Sequence, residues 1–248
     1  MAEKSVEQRL PLFYRKPELL QAERHAKLGL SQTVSYAFAG EVVSLPLNTV
    51  EVPIAARDYP VVFAGEQPLP IAIVGLKAGL NLFVNPDGSW DPGRYIPAYV
   101  RRYPFALVGR ESSDQFSLCV DLESERIVSD GGAPLFEDDK PSKLTQDALQ
   151  FCAAFEREAT ATRKVMQALK DKGLLKPNEA TIRLADGNQV SMTDFSVLDE
   201  ERFNALSDED FLELRRAGAL PAIYGHLASL PSWSELVRRL GGPATAAA

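Results

Sequence analysis

Residues 142–173, SKLTQDALQFCAAFEREATATRKVMQALKDKG, are the stretch of sequence that decides the fold. Their apolar residues recur at helical spacing and form one stripe, which predicts a helix over about residues 143–172. Pro141 and Ser142 suit the start of this helix, and Lys170 and Lys172 suit the negative end of its dipole. Gly173 suits the position after the last turn. The stripe consists of Leu144, Ala148, Cys152, Phe155, Ala159, Met166 and Leu169.

Before this helix, residues 34–130 alternate short apolar runs with turn signals. Proline at the first central position and glycine at a later one are typical of tight turns. The pattern predicts antiparallel strands in a meander, since no helical stretch connects them. The predicted strands are Val61–Phe63, Ile71–Leu76, Leu80–Val84, Phe105–Val108 and Phe116–Leu122, with turns at Lys77–Gly79 and Asn85–Gly88.

After the helix, the sequence predicts a short hairpin and then more helices. Two runs, Thr181–Leu184 and Gln189–Met192, flank a polar turn, and Phe195–Val197 would add a third strand. Serine followed three residues later by an acidic residue is typical of a helix start. The two candidate capping boxes are Ser207 with Asp210 and Ser232 with Glu235.

These elements predict an α+β fold in two halves. Residues 10–140 would form an N-terminal antiparallel, β-rich meander, and residues 141–242 a mainly helical half that includes the hairpin. We expect the two halves to form one compact unit, and residues 243–248 to be a flexible tail.

Composition narrows the class of protein. The chain has 248 residues, of which 45% are hydrophobic and 25% are charged, and its net charge of −7 argues against general nucleic-acid binding. The sequence has neither an apolar N-terminal region nor a run of about 20 apolar residues. We therefore expect a cytoplasmic protein with no membrane span. Export through a C-terminal signal would leave no mark at the N-terminus.

Cysteine and histidine are scarce, which limits metal chemistry. Cys119 and Cys152 have apolar neighbours, and we expect both to be buried free thiols. Two separated cysteines and two separated histidines do not build a zinc site without several carboxylates. We predict no metal and no cofactor.

The most unusual segment is residues 90–105, WDPGRYIPAYVRRYPF, called here the aromatic-arginine segment. Guanidinium groups beside tyrosine hydroxyls can hold a carboxylate or phosphate, and aromatic faces can stack on a ligand or peptide. The alternative is a packed corner in which arginine stems cover aromatic rings. The candidate ligand-binding residues are Trp90, Tyr95, Tyr99, Arg101, Arg102 and Tyr103.

Two histidines are secondary candidates. His25 and His226 could each act as a general base or a metal ligand, but neither has a second histidine at helical spacing. The alternative is a structural imidazole that is hydrogen-bonded in place. The phosphate-binding, nucleophile-elbow and zinc-protease motifs do not occur, so the catalytic residues, if there are any, stay unknown.

The order of these segments resembles the bacterial SapC family over about residues 10–240. Tyr36–Ala39, Tyr59–Phe63 and Ile223–Leu230 contribute, and the block YIPAYVRRYPF over residues 95–105 is the most specific part. The resemblance implies a surface-layer context in one bacterial lineage. It also implies gene neighbours that include TonB-dependent receptors, flavin-dependent tryptophan halogenases and oxygenase-like proteins. It supplies no catalytic residue.

Three functions remain in view. The first is a non-catalytic accessory or binding protein that recognises a peptide, protein or small acidic ligand through the aromatic-arginine segment. The second is an enzyme, or an enzyme's partner, in amino-acid or peptide modification, using His25 or His226. The third is a surface-layer component. The sequence leaves the oligomeric state and the ligand open.

Overall fold

The computed structural model describes residues 10–109, 116–183 and 189–241 and confirms an α+β fold. Its sheets are antiparallel. The strands are β1 Pro17–Leu19, β2 Gly29–Leu30, β3 Ser44–Pro46, β4 Val61–Ala64, β5 Leu69–Ile73, β6 Phe105–Gly109, β7 Phe116–Asp121, β8 Ile127–Val128, β9 Ala133–Pro134, β10 Phe136–Glu137, β11 Lys140–Pro141, β12 Leu175–Arg183 and β13 Gln189–Leu198.

The α-helices are mostly short, with one exception. They are α1 Ala22–His25, α2 Val52–Ala55, α3 Ala98–Arg101, α4 Lys143–Asp171, α5 Glu200–Asn204, α6 Asp208–Arg216, α7 Leu220–Ser229 and α8 Trp233–Arg239. Single 3₁₀ turns occur at Ala37–Ala39, Thr49–Glu51 and Leu230–Ser232. Helix α4 confirms the predicted long helix, and Gly173 follows it in the left-handed conformation with φ of 63°.

Contacts divide the chain into two compact units, each made of two separate segments. Unit 1 consists of the residues up to Val34 together with Arg102–Ala153. Unit 2 consists of Ser35–Arg101 together with the residues from Ala154 onward. The predicted division into halves at residues 10–140 and 141–242, joined in one compact unit, stays a prediction.

Unit 1 is built on a three-stranded sheet in the order β1-β7-β6. Glu18 of β1 lies opposite Val120 of β7, and Ala106 of β6 lies opposite Cys119 of β7, so the predicted pairing of β6 with β7 is confirmed. A second small sheet has the order β8-β2-β9, and β10 pairs with β11. The core of this unit consists of Phe105, Leu118, Val120, Leu135 and Cys152.

Unit 2 contains a five-stranded antiparallel sheet in the order β12-β13-β4-β5-β3. The hairpin of β12 and β13 confirms the prediction and is longer than expected, while its turn, residues 184–188, lies outside the described residues. Strand β13 also pairs with β4, where Phe195 lies opposite Ala64. The core behind this sheet includes Phe63, Met166, Leu169, Leu174 and Ile223.

Three local predictions were wrong. Residues 80–84 form turns with isolated bridges at Leu80 and Val84, because the Asn81 side chain bonds to the backbone at Ala39 and Phe83 in place of a strand ladder. Residues 195–197 are the end of β13 and not a third strand. Ser232 makes no side-chain cap on α8, because the preceding 3₁₀ turn already gives it a helical conformation.

Other local predictions are confirmed. The turn at Asn85–Gly88 closes with a hydrogen bond from the Gly88 amide to the Asn85 carbonyl, and Gly88 has a φ of 80°. The Ser207 side chain accepts a hydrogen bond from the Asp210 amide at the start of α6. Cys119 and Cys152 are both buried free thiols. The predicted tail, residues 243–248, lies outside the described residues.

Candidate functional site

Two buried carboxylates in unit 2 hold the aromatic-arginine segment in place. The first is Glu51, which is 5% exposed and lies just before α2. Its Oε2 accepts a hydrogen bond from the Asn48 amide at 2.9 Å. Its Oε1 accepts one from the Tyr95 hydroxyl at 2.9 Å and one from the Ala98 amide at 2.7 Å. The carboxylate therefore joins the start of α2 to the start of α3.

The second carboxylate is Asp58, which is 3% exposed and follows α2. Its Oδ2 accepts from the Tyr95 amide at 2.8 Å and from Arg57 at 3.1 Å, and its Oδ1 accepts from Arg94 at 3.2 Å. Burial alone would raise the pKa of Asp58, but these hydrogen bonds outweigh it and hold that pKa below its usual value. Tyr95 is thus held by two hydrogen bonds, one from its backbone amide to Asp58 and one from its hydroxyl to Glu51.

A second group of ion pairs lies around Arg94 and the end of α8. Arg94 also approaches Asp91 at 3.5 Å and Glu235 at 3.6 Å. Arg239 pairs with Asp91 at 2.6 Å and with Glu235 at 2.8 Å, and its guanidinium lies 4.3 Å from the centre of the Phe83 ring. These contacts neutralise the positive charge of Arg94 and Arg239 within the protein.

Four of the six candidate residues are buried. In unit 2, Trp90 donates from Nε1 to the Tyr59 hydroxyl at 3.1 Å, and Tyr99 packs edge-on against Phe155. In unit 1, Tyr103 donates its hydroxyl proton to Asp121 at 3.0 Å.

Arg102, the fourth buried candidate, belongs to unit 1. Its guanidinium lies 5.9 Å from the centre of the Tyr14 ring. Each of these four side chains is therefore buried within its own unit.

The other two candidates reach solvent together. Arg101 is exposed, and Tyr95 is half-buried. Arg101 donates from Nε to the Ile96 carbonyl at 2.9 Å and from Nη2 to the Tyr95 hydroxyl at 3.3 Å. The Arg101 guanidinium lies 5.8 Å from the centre of the Tyr95 ring. We call these two side chains the Tyr95–Arg101 pair.

The hydroxyl of this pair stays protonated. Burial, together with the neighbouring Glu51 carboxylate, raises the pKa of Tyr95 to about 12. The hydroxyl therefore acts near neutral pH as a hydrogen-bonding group and not as a base.

His226 is a structural residue of unit 2. It is fully buried, and its Nδ1 donates to the Val61 carbonyl at 2.6 Å while its Nε2 accepts from the Leu198 amide at 3.2 Å. Burial lowers the pKa of His226, although the Val61 carbonyl favours the charged form. One turn later, the Ser229 hydroxyl accepts from the Val61 amide at 2.8 Å. The two residues join α7 to the start of β4.

His25 has a different setting in unit 1. It lines a groove of about 440 Å³, called here the His25 groove, whose walls include Lys16, Glu18, Arg24, Leu122 and Ile127. The imidazole itself is only 3% exposed. Its Nδ1 accepts a hydrogen bond from the Gln21 amide at 3.1 Å, and its Nε2 lies 4.0 Å from the Glu18 carboxylate.

Comparison with known proteins identifies the family. The family model described as SapC matches residues 20–236 of the 248-residue chain. The chain belongs to the SapC family. No curated protein and no solved structure matches it.

The SapC match includes the whole aromatic-arginine segment and both histidines. Within the described part of this SapC-family chain, no helix combines the length and the apolar composition that crossing a bilayer requires.

Sequence reasoning missed both of the carboxylates that organise the segment in this SapC-family protein. Glu51 had a detectable signal, since Asn48 and Glu51 have the spacing of a capping box. Asp58 had none, because its partners Arg94 and Tyr95 lie 36 and 37 positions further along the chain. Only the fold brings them together.

Proposed function

We propose that this SapC-family protein is a non-catalytic accessory or binding protein that recognises an acidic group of a peptide, protein or small ligand at the Tyr95–Arg101 pair. The observation that carries the proposal is the exposed guanidinium of Arg101, set against a tyrosine ring that a buried carboxylate holds in place. Guanidinium groups bind carboxylate and phosphate through paired, charge-assisted hydrogen bonds.

Preorganisation supports this assignment. The Tyr95 ring is anchored through its hydroxyl to Glu51 and through its amide to Asp58, and Arg101 is tied to the Ile96 carbonyl. A binding group that is already ordered loses little side-chain freedom when a ligand arrives, which favours affinity. Anchoring of this kind is what a recognition surface needs.

The chemistry at the pair favours binding over proton transfer. A guanidinium and a tyrosine with a pKa of about 12 both keep their protons near neutral pH. The guanidinium donates hydrogen bonds and the hydroxyl can donate and accept them, but both groups are poor general bases. His226, the histidine of the same unit, has both ring nitrogens engaged with the backbone.

Peptide binding tests the proposal. An array of random heptapeptides with free C-terminal carboxylates would be probed beside the same array with C-terminal amides. We expect the bound peptides to carry an acidic group, and Arg101→Ala to weaken their binding about tenfold or more, because a charge-assisted hydrogen bond contributes about 1.5–3 kcal/mol. Arg101→Lys should lose part of the affinity, since it keeps the charge without the fork.

The matched control is Arg163→Ala. Arg163 is an exposed arginine of unit 2 whose side chain donates to Thr160 on the same helix, α4. Its replacement should leave binding unchanged, and the melting temperature of each variant reports whether it still folds. Equal loss of binding in both alanine variants, or peptides that bind equally well without any acidic group, would contradict the proposal.

A further inference from the structure

The His25 groove has the composition of a ligand site that is separate from the Tyr95–Arg101 pair. All of its lining residues belong to unit 1, and its volume of about 440 Å³ lies within the range of small-molecule sites. Leu122 and Ile127 are half-buried, so part of their apolar surface remains in contact with water. A ligand that covered this surface would gain hydrophobic free energy.

The charges in the groove favour an anion. Among the lining residues, Lys16 and Arg24 are cations and Glu18 is the one carboxylate. Glu18 pairs with Lys16 at 3.4 Å and with Arg24 at 2.6 Å, which leaves one positive charge in excess. The side chains of Lys16 and Arg24 are 58% and 60% exposed, whereas that of Glu18 is 20% exposed. Both cations therefore have surface left for a ligand while they stay paired with Glu18.

His25 adds a donor of fixed orientation. Because its Nδ1 accepts the Gln21 amide, the neutral ring carries its proton on Nε2. The 4.0 Å from this nitrogen to Glu18 is longer than a hydrogen bond. Burial lowers the pKa of His25, as does the neighbouring Arg24, so the ring is a neutral N–H donor at pH 7.

We propose that the His25 groove binds a small organic carboxylic acid with an apolar body. The carboxylate would bind to Lys16 and Arg24, with the His25 N–H as a further donor, and the apolar body would cover Leu122 and Ile127. One anionic charge on the ligand balances the excess positive charge of the lining. The proposal does not depend on the Tyr95–Arg101 pair.

Titration calorimetry with three probes tests the ligand class. Phenylacetate carries both the charge and the apolar ring, phenylacetamide has the ring without the charge, and acetate has the charge without the ring. We expect phenylacetate to bind about tenfold or more tightly than either of the other two, because each lacks one part of the interaction. Phenylacetate that binds no better than phenylacetamide would overturn the proposal.

Variants locate the site. Lys16→Ala and Arg24→Ala should each weaken phenylacetate binding about tenfold. Ser129 is an exposed residue of the groove lining, and Ser129→Trp should block phenylacetate binding. Lys27→Ala removes an exposed cation outside the lining and should have no effect. Arg101→Ala should also leave phenylacetate binding unchanged, which distinguishes the His25 groove from the Tyr95–Arg101 pair of the proposed function. Melting temperatures confirm folding, and loss of binding in Lys27→Ala equal to that in Lys16→Ala would overturn the assignment.

Discussion

Glu51 and Asp58 show how single residues keep the aromatic-arginine segment in place. A carboxylate that leaves water is costly unless donors surround it. Glu51 accepts three hydrogen bonds and Asp58 accepts four, and each has partners on both the segment around α2 and the segment that begins at Arg94. The local conformation of Arg94–Ala98 is therefore tied to two groups that cannot move away without losing their donors.

The buried imidazole of His226 should make the free energy of unfolding depend on pH. Because burial lowers its pKa in the folded protein, the unfolded chain takes up a proton first as the pH falls below about 6.5. The free energy of unfolding should then decrease, by at most about 1.4 kcal/mol per pH unit for this residue. Above pH 7 both states hold a neutral imidazole, and its contribution should be constant.

Urea unfolding between pH 7.5 and pH 5 measures this dependence. The pKa of His25 is also lowered, as is that of Glu235, so the variant His226→Gln should retain the share due to these groups. His25→Gln should keep the larger part, since burial of the imidazole is more complete at His226. An unchanged pH dependence in His226→Gln would show that this imidazole does not control acid stability.

At the scale of elements, two serines with the same sequence signal behave differently. Ser207 has an extended conformation, with φ of −65° and ψ of 156°, and caps α6 through its side chain. Ser232 has a ψ of −11°, and its hydroxyl donates to the Ala56 carbonyl at 3.4 Å. The 3₁₀ turn before α8 decides this difference, because a residue that is already helical cannot cap the next helix.

Replacing each serine by alanine tests this reading of the caps. Ser207→Ala should lower the free energy of unfolding by about 1 kcal/mol, because the Asp210 amide loses its acceptor. Ser232→Ala should cost less than about 0.5 kcal/mol, since no helix amide depends on it. Urea denaturation compares the two. Equal losses would mean that Ser232 stabilises α8 in some other way.

At the scale of the whole molecule, each unit joins segments that are distant in the sequence. In unit 1, β1 pairs with β7, where Leu19 lies opposite Cys119, and the Arg15 and Lys16 amides bond to the Asp121 carboxylate. In unit 2, β13 pairs with β4, and His226 and Ser229 bond to Val61. The three-stranded sheets of unit 1 and the five-stranded sheet of unit 2 are therefore complete only when both segments of each unit are present.

Removing β1 should open unit 1 beside Cys119. In the intact chain we expect both buried thiols to react slowly with Ellman's reagent. Deletion of residues 1–20 should speed the reaction of Cys119 about tenfold or more, because the strand that pairs with it is lost and local opening costs less. Cys152 on α4 is the internal reference, and Cys119→Ser assigns the signal. Equal acceleration at both thiols would indicate that the whole unit unfolds.

Local signals made much of this fold predictable. The stripe of α4, the turn at Asn85–Gly88 and the cap at Ser207 depend on residues a few positions apart, and all three were confirmed. The strand predicted at residues 80–84 failed because hydrogen bonds of the Asn81 side chain, one of them to the distant Ala39, replaced the expected ladder. A run of apolar residues carries no information about such a contact.

The sequence by itself determined the α+β class, the long helix and, through YIPAYVRRYPF, the likeness to the SapC family. Only the tertiary structure decided which rings and guanidiniums of that block lie inside and which reach water. Tyr95 and Arg101 are accessible because Glu51 and Asp58, more than 35 positions away from their partners, hold the chain in that orientation. Burial and pairing depend on such distant contacts, which the spacing of neighbouring residues does not encode.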